Sequence, residues 1–268
     1  MKVWAVANQK GGVGKTTTAV SLAGHLVRRG QRVLLVDLDP HGSLTAYFGY
    51  DPDNLENSLY RLFQGPGAIP EVPAAELLLP TGIDDLALLP ASTALATLDR
   101  QLGSQEGKGL VIRHALQSLE GRYDTVLIDC PPLLGILMVN ALAACRLLIL
   151  PVQTEHLALK GLERMMRTLE MILRARRDGL DYLIVPTMFD RRTRAALDSL
   201  RQLRETYGDK VWEAVIPVDT KFREASKRGV PLPMMLPSSR GAQAYEALLR
   251  TLLGESPEPL RAGKDLNP

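Results

Sequence analysis

Short apolar runs alternate along this chain with segments whose apolar residues fall at helical spacing. Val3–Ala7 reads as a short strand that runs into the polar, glycine-rich stretch Asn8-Gln9-Lys10-Gly11-Gly12. From Thr16 to Arg29 the pattern becomes helical, with Ala19, Leu22, Ala23, Leu26 and Val27 at helical spacing. Gly30 follows where a helix C-terminal cap is expected. Arg32–Asp39 is the next strand. Its run Val33-Leu34-Leu35-Val36 is apolar on both faces, as in a central parallel strand covered by helices on each side. Further strands are predicted at Val126-Leu127-Ile128-Asp129, Leu147-Leu148-Ile149-Leu150, Tyr182–Thr187 and Val211–Pro217. Helices are predicted over Leu157–Arg177, Thr193–Tyr207 and Gly241–Leu253. Strands separated by helical segments imply right-handed βαβ units. The predicted fold is therefore α/β: one domain, residues 1–254, with a mostly parallel central sheet and helices on both faces. Two stretches fall outside this core. Gln64–Thr81 carries Pro66, Pro70, Pro73 and Pro80 and reads as a surface excursion, and Glu255–Pro268 reads as a polar tail.

Composition changes this picture little. A chain of 268 residues with 46% hydrophobic and 23% charged residues has the ordinary balance of a soluble globular protein and can bury a sizeable core. The net charge of +2 does not mark the whole molecule as a polyanion binder, but the charge is uneven. Residues 160–228 hold 16 Lys/Arg and 11 Asp/Glu, whereas residues 1–159 hold 12 and 15. The basic segment is either a set of solvated helix faces or a face for DNA or an acidic partner. The two cysteines, Cys130 and Cys145, lack metal spacing and suit a reducing cytosol. Val3–Ala7 is too short for a signal peptide, and the longest apolar region, Pro131–Val152, is broken by Asn140 and Arg146. The expectation is a cytoplasmic protein without membrane insertion.

Candidate chemistry concentrates in Lys10-Gly11-Gly12-Val13-Gly14-Lys15-Thr16-Thr17, between a strand and a helix. A phosphate chain needs backbone N–H groups pointing inward with no Cβ in the way, which Gly11, Gly12 and Gly14 supply. The helix N-terminus after Gly14 adds positive dipole. Lys15 has the reach for β- and γ-phosphate oxygens, and the Thr16 hydroxyl is placed to ligate Mg²⁺. The usual G-x-x-x-x-G-K-[ST] pattern has glycine where this chain has Gln9, and here an extra lysine, Lys10, lies inside the loop.

Two strand ends add acids. In Asp37-Leu38-Asp39-Pro40 the proline stops the strand, which places Asp39 at the carboxyl edge of the sheet, where open α/β sheets bind ligands. Asp129 ends another buried strand, before Cys130-Pro131-Pro132, and suits a second Mg²⁺-associated acid acting through metal-bound water. Phosphoryl transfer needs positioning and charge neutralisation, so the lack of a Ser/His or Cys/His arrangement does not count against it. His25, His41, His114 and His156 show no ligand spacing and read as surface or helix residues.

At Lys10–Thr17, Asp37–Pro40 and Asp129–Pro132 the chain resembles the ParA/MinD family of P-loop ATPases, whose deviant loop has the form KGGxGKT. The resemblance spans nearly the whole chain. Pro151-Val152-Gln153, Asn140-Ala141-Leu142, Thr187–Thr193, and Ile216-Pro217 through Glu224-Ala225 look like the ParA branch. It implies MgATP as cofactor, a homodimer in the ATP state, a protein partner that stimulates hydrolysis or carries cargo, and slow unstimulated turnover of ~10⁻⁴–10⁻² s⁻¹. By the resemblance, Lys10 reaches the partner subunit's nucleotide, Asp39 orients the attacking water, Thr16 ligates Mg²⁺, and Thr17 lies beside the α-phosphate. Pro217 and Asp219 match positions lining the adenine.

Departures qualify these roles. His41 stands where ParA proteins usually have Gln, Asp219 where Asn is commoner, and Val218 where DNA-coating members often have Arg. Lys221, Arg223, Lys227 and Arg228 could compensate for that last charge. The segments Asp39-Pro40-His41, Ile216–Arg223 and Ala158–Arg164 are similar to ParA-like ATPases of chemotaxis gene clusters (ParC), which position signalling arrays at a cell pole. Cargo at a pole or on the nucleoid is the corresponding expectation. A MinD-like membrane cycle would need a C-terminal amphipathic helix, for which Pro257 and Pro259 are poor material. A P-loop ligase or iron–sulfur reductase is the remaining alternative.

Overall fold

The strands form on short runs rich in Leu, Ile and Val, two of which end at Asp37 and Asp129. In the computed structural model, which describes residues 1–102, 105, 107–175 and 179–255, seven strands and ten α-helices alternate. They are β1 (Lys2–Val6), α1 (Lys15–Arg28), β2 (Val33–Asp37), α2 (Ser43–Tyr47), β3 (Leu79–Pro80), β4 (Leu86–Leu89), α3 (Leu98–Leu102), α4 (Val111–Gln117) and β5 (Thr125–Asp129). There follow α5 (Ile136–Ala144), β6 (Leu147–Gln153), α6 (His156–Ala175), β7 (Asp181–Thr187), α7 (Arg194–Tyr207), α8 (Lys221–Arg228), α9 (Leu232–Met235) and α10 (Arg240–Leu252). The sheet order is β3-β4-β2-β5-β1-β6-β7, parallel throughout except for β3, which pairs antiparallel to β4.

Strand alternation divides the core. Val3 and Ala5 of β1 join Ile112, Leu137 and Leu162 in one buried cluster, whereas Trp4 and Val6 join Leu22, Leu26 and Leu248 in the other. Helices α4, α5 and α6 thus cover one face and α1 and α10 the other, as expected for a buried parallel sheet. Ala19, Leu22, Ala23 and Leu26 of α1 are fully buried. Each such leucine contributes about 1.5–3 kcal/mol by leaving water. The helix ends as the sequence predicts: Gly30 N donates to Val27 O at 2.8 Å and Gln31 N to Leu26 O at 3.1 Å, satisfying two terminal carbonyls.

Three expectations need correction. Val211–Pro217 is not a strand. It makes isolated bridges, Ile184 to Val211 and Phe189 to Pro217, because Glu213 and Ala214 between them are exposed and Pro217 has no N–H to extend a ladder. Strand β2 stops at Asp37, so Asp39 lies in the turn beyond it; the Asp37 carboxylate binds the Asp39 amide and closes the strand end. Gln64–Thr81 is more than a surface excursion, since it buries Ala74 and Leu77 and supplies β3 to the sheet edge. Of the expected tail, residues 256–268 lie outside the described residues, while Glu255 pairs with Arg29 at 2.7 Å. Residues 176 and 177 of the predicted helix Leu157–Arg177 also lie outside them. Among the described residues no helix is long and apolar enough to cross a membrane.

Candidate functional site

The loop from Asn8 to Gly14 leaves the carboxyl end of β1 and is fixed from three directions. Asn8 Nδ2 donates to Pro151 O at 2.7 Å, the Lys10 amide donates to Asn8 Oδ1 at 2.9 Å, and Thr187 Oγ1 donates to Val13 O at 2.9 Å. Gly12 and Gly14 have φ of 74° and 94°, conformations strained for any residue with a Cβ. A Cβ built at Gly11, Gly12 or Gly14 would meet nothing within 4 Å, so the hollow of the loop is open. Gly14 caps α1 without a side chain, which leaves the first-turn N–H groups of α1 uncapped from that position. Donors of this kind with a helix dipole behind them bind anions. Lys15 is buried to 8% exposure and its Nζ lies 3.5 Å from Lys10 O, so its charge is held over the loop. Lys10 itself pairs outward with Glu155, just beyond β6.

The acids gather beside this loop. Strand β5 lies next to β1, with Asp129 opposite Val6. Strand β2 lies beyond β5, so Asp37, not Asp39, stands opposite Asp129. Of the two acid-bearing strands, only β5 flanks the loop strand β1. Thr16 Oγ1 donates to Asp129 Oδ2 at 2.5 Å. Asp129 Oδ1 is buried without a hydrogen-bond partner, as is Thr154 Oγ1 just beyond β6 on the other side of β1. Burial raises the Asp129 carboxyl to about 8, and the Asp37 charge adds to this; burial likewise raises Asp37 to about 7. Asp37 is held by the Thr45 amide at 2.8 Å and the Thr45 hydroxyl at 2.7 Å, which anchors α2. Asp39 is 9% exposed, and its Oδ1 accepts from the His41 amide at 3.1 Å and His41 Nδ1 at 2.9 Å.

These are hard oxygen donors of the type Mg²⁺ selects. The described residues hold no group of three or more His, Cys, Asp or Glu side chains arranged around a metal. A Thr16 hydroxyl, a carboxylate with an unpartnered oxygen and a neighbouring anion loop fit an ion whose remaining ligands are phosphate and water.

Beyond the loop, Phe189, Arg191, Pro217, Val218, Asp219 and Arg240 line an open cavity of about 550 Å³. Thr187, the last residue of β7 and the partner of Val13, precedes the lining residue Phe189 by two positions. Pro217 is half-buried. Asp219 uses both carboxylate oxygens on backbone amides, Lys221 N at 2.9 Å and Gly241 N at 3.0 Å, and so ties the starts of α8 and α10 together. Sequence reasoning did not single out Asn8, Thr45, Glu155 or Thr187. Their roles depend on contacts with other elements, and for Asn8 and Thr187 a short polar residue at or just past a strand end was the available signal.

With this geometry in view, comparison with known proteins settles the relationship. The family described as AAA domain matches residues 1–182. The chromosome-partitioning ATPase Soj of Thermus thermophilus is 41% identical, over 95% of this chain and 96% of that protein. The chromosome partitioning protein ParA of Caulobacter vibrioides is 37% identical, over 94% of each. The chain belongs to the ParA/MinD family of P-loop ATPases. Among solved structures, one described as cobyrinic acid a,c-diamide synthase from Mycobacterium smegmatis with bound ADP and magnesium superimposes with a TM-score of 0.80 at 36% identity. It covers 94% of both chains.

Proposed function

We propose that this ParA/MinD-family ATPase is a nucleotide-driven switch that dimerises with MgATP, hydrolyses it slowly and thereby positions a cellular cargo. The observation that carries the reading is the open, donor-lined loop at residues 10–17 beside the Thr16–Asp129 pair. The ATPase domain takes in residues 1–254. Gly11, Gly12, Val13 and Gly14 cradle phosphates with backbone N–H groups, Lys15 neutralises the β- and γ-phosphates, and Thr17 adjoins the α-phosphate. Thr16, Asp129 and Asp39 serve the Mg²⁺ ion and its waters. When bound, that ion offsets phosphate charge as the terminal P–O bond breaks. Asp39 orients the attacking water, and Pro217 and Asp219 border the base.

The deviant lysine, Lys10, acts on the partner subunit's nucleotide, where an added cation stabilises transferring phosphoryl charge. Its present contact with Glu155 must open first. Cargo and surface follow the family. Chromosome or plasmid DNA is one class, and the narrower resemblance to ParC offers a chemotaxis array at a cell pole as the other. A partner protein stimulates hydrolysis in both. In the test, Asp39→Ala gives an ATP-stable dimer by light scattering with hydrolysis lowered at least about tenfold. Lys10→Ala binds ATP but stays monomeric. Wild-type hydrolysis in Asp39→Ala, or a normal dimer in Lys10→Ala, overturns these roles.

The Mycobacterium smegmatis relative's description favours a second reading, ATP-dependent amide formation. Releasing ammonia from glutamine calls for a reactive thiolate. Cys130 and Cys145 are fully buried, and burial pushes the Cys130 thiol up, which argues against that chemistry in this chain. ATP turnover that depends on an added polycarboxylic acid and ammonia would favour it.

A further inference from the structure

We infer that His41 is a positioning residue for hydrolysis: its ring holds one oxygen of Asp39 so that the other is free to order the attacking water. The inference rests on the ATPase reading above, and it concerns a position where this chain departs from the family's usual glutamine.

The backbone around Asp39 is already fixed. Its amide donates to Asp37 Oδ1 at 3.2 Å, and its carbonyl accepts from Gly42 N at 2.8 Å. Gly42 is itself pressed against Pro52, where an added Cβ would come within 2.3 Å of Cγ, so the turn has little room to shift. What remains undetermined is the rotation of the carboxylate about its own bond. The His41 amide fixes it weakly, at 3.1 Å to Oδ1, and the ring Nδ1 adds a second, shorter bond at 2.9 Å to the same oxygen. Among the described residues no hydrogen bond reaches Oδ2. A carboxylate oxygen only accepts, so Nδ1 carries the proton in this contact. A carboxylate with one oxygen tied back and one free presents a single, directed acceptor, which is what ordering one water requires.

The ring is 79% exposed on its other side, so it contributes little to the core. Removing it therefore perturbs the carboxylate's orientation while leaving folding intact. Asparagine places an amide nitrogen at the same remove from Cα as Nδ1, whereas alanine places none.

The experiment measures basal ATP turnover in the full chain with Mg²⁺ for wild type, His41→Ala, His41→Asn and Asp39→Ala. Thermal melts and ATP-dependent dimerisation serve as folding controls. The expected result is a fall in kcat of about three- to tenfold for His41→Ala, the scale of one exposed hydrogen bond to a charged group, with KM for ATP unchanged. His41→Asn restores kcat to within about twofold. Unchanged kcat in His41→Ala, or equal losses in the alanine and asparagine variants, would overturn the inference. Asp39→Ala separates the two levels. If it loses turnover while His41→Ala does not, only the His41 role fails; if it retains turnover, the water-ordering reading of Asp39 fails as well.

Discussion

At the scale of single residues, the site is a balance between buried acids and the cations that must join them. Asp37 and Asp129 face each other across β2 and β5 and are essentially removed from water. Burial raises both carboxyls above their unfolded range, to about 7 and about 8. The folded state therefore binds more protons than the unfolded chain from about pH 4 to about pH 8, and stability without ligand falls as pH rises through that window. The thermal midpoint of nucleotide-free protein is expected to drop between about pH 5.5 and 8.5. Asp129→Asn, which cannot ionise, should flatten the drop. A midpoint that rises over this range would contradict the assignment. Lys15, Thr16 and the glycines were legible in the sequence because loop chemistry demands those residue types consecutively. Asp39 was legible as a residue but not in its place: the Asp37 carboxylate ends the strand two residues early, and nothing in the pattern VLLVDLDP says which aspartate does so.

Apolar runs located β1, β2, β5, β6 and β7 to within three residues at each end. Among the elements that went unread, β3 has two residues and β4, α2 and α9 four or five, too few to give periodicity. Val211–Pro217 misled because its apolar content serves packing: Trp212 is buried and donates from Nε1 to Thr251 Oγ1 at 3.1 Å. The phosphate-loop helix α1 is held by α9 and α10. His25 Nε2 lies 2.8 Å from Ala242 O, and Thr18 Oγ1 lies 2.8 Å from the Tyr245 hydroxyl. Gly24 is where α1 and α9 approach, since a Cβ there would lie 2.6 Å from Pro231 Cβ and 3.2 Å from Pro233 Cγ. Gly24→Ala should cost about 1–3 kcal/mol, the usual cost of overpacking, because ring carbons of proline cannot rotate away. Chemical denaturation measures it, and an unchanged midpoint would show that α9 moves aside freely.

For the whole molecule, the uneven charge noted in the sequence becomes a surface. Arg223, Lys227 and Arg228 on α8 and Arg191 and Arg240 at the cavity rim are exposed, while Lys221 pairs with Glu224 at 2.8 Å and Arg192 with Asp190 at 2.7 Å. Val218 leaves this region one apolar side chain, 51% exposed. If this face meets DNA, binding is non-specific and weakens steeply with salt. Replacing Arg223, Lys227 and Arg228 with glutamate should abolish MgATP-dependent shift of a random duplex at about 0.1 M salt, with ATP turnover intact. Duplex binding equal to wild type would move the contact elsewhere, and no binding by wild type would favour a protein cargo. Charge sums gave the sign of this region but not its target, because a sum does not show which side chains are neutralised by near neighbours, as Lys221 and Arg192 are, and which stand exposed together.

The central claim is that the 10–17 loop and the Thr16–Asp129 pair together hold a magnesium-bound triphosphate. Calorimetric titration of ATP into wild type, Lys15→Ala and Asp129→Asn, each with and without Mg²⁺, tests it most directly. The account predicts tight binding for wild type that needs Mg²⁺, no measurable binding for Lys15→Ala, and for Asp129→Asn a weaker affinity that Mg²⁺ improves little. Wild-type affinity in Lys15→Ala, or an unaltered magnesium requirement in Asp129→Asn, would contradict it.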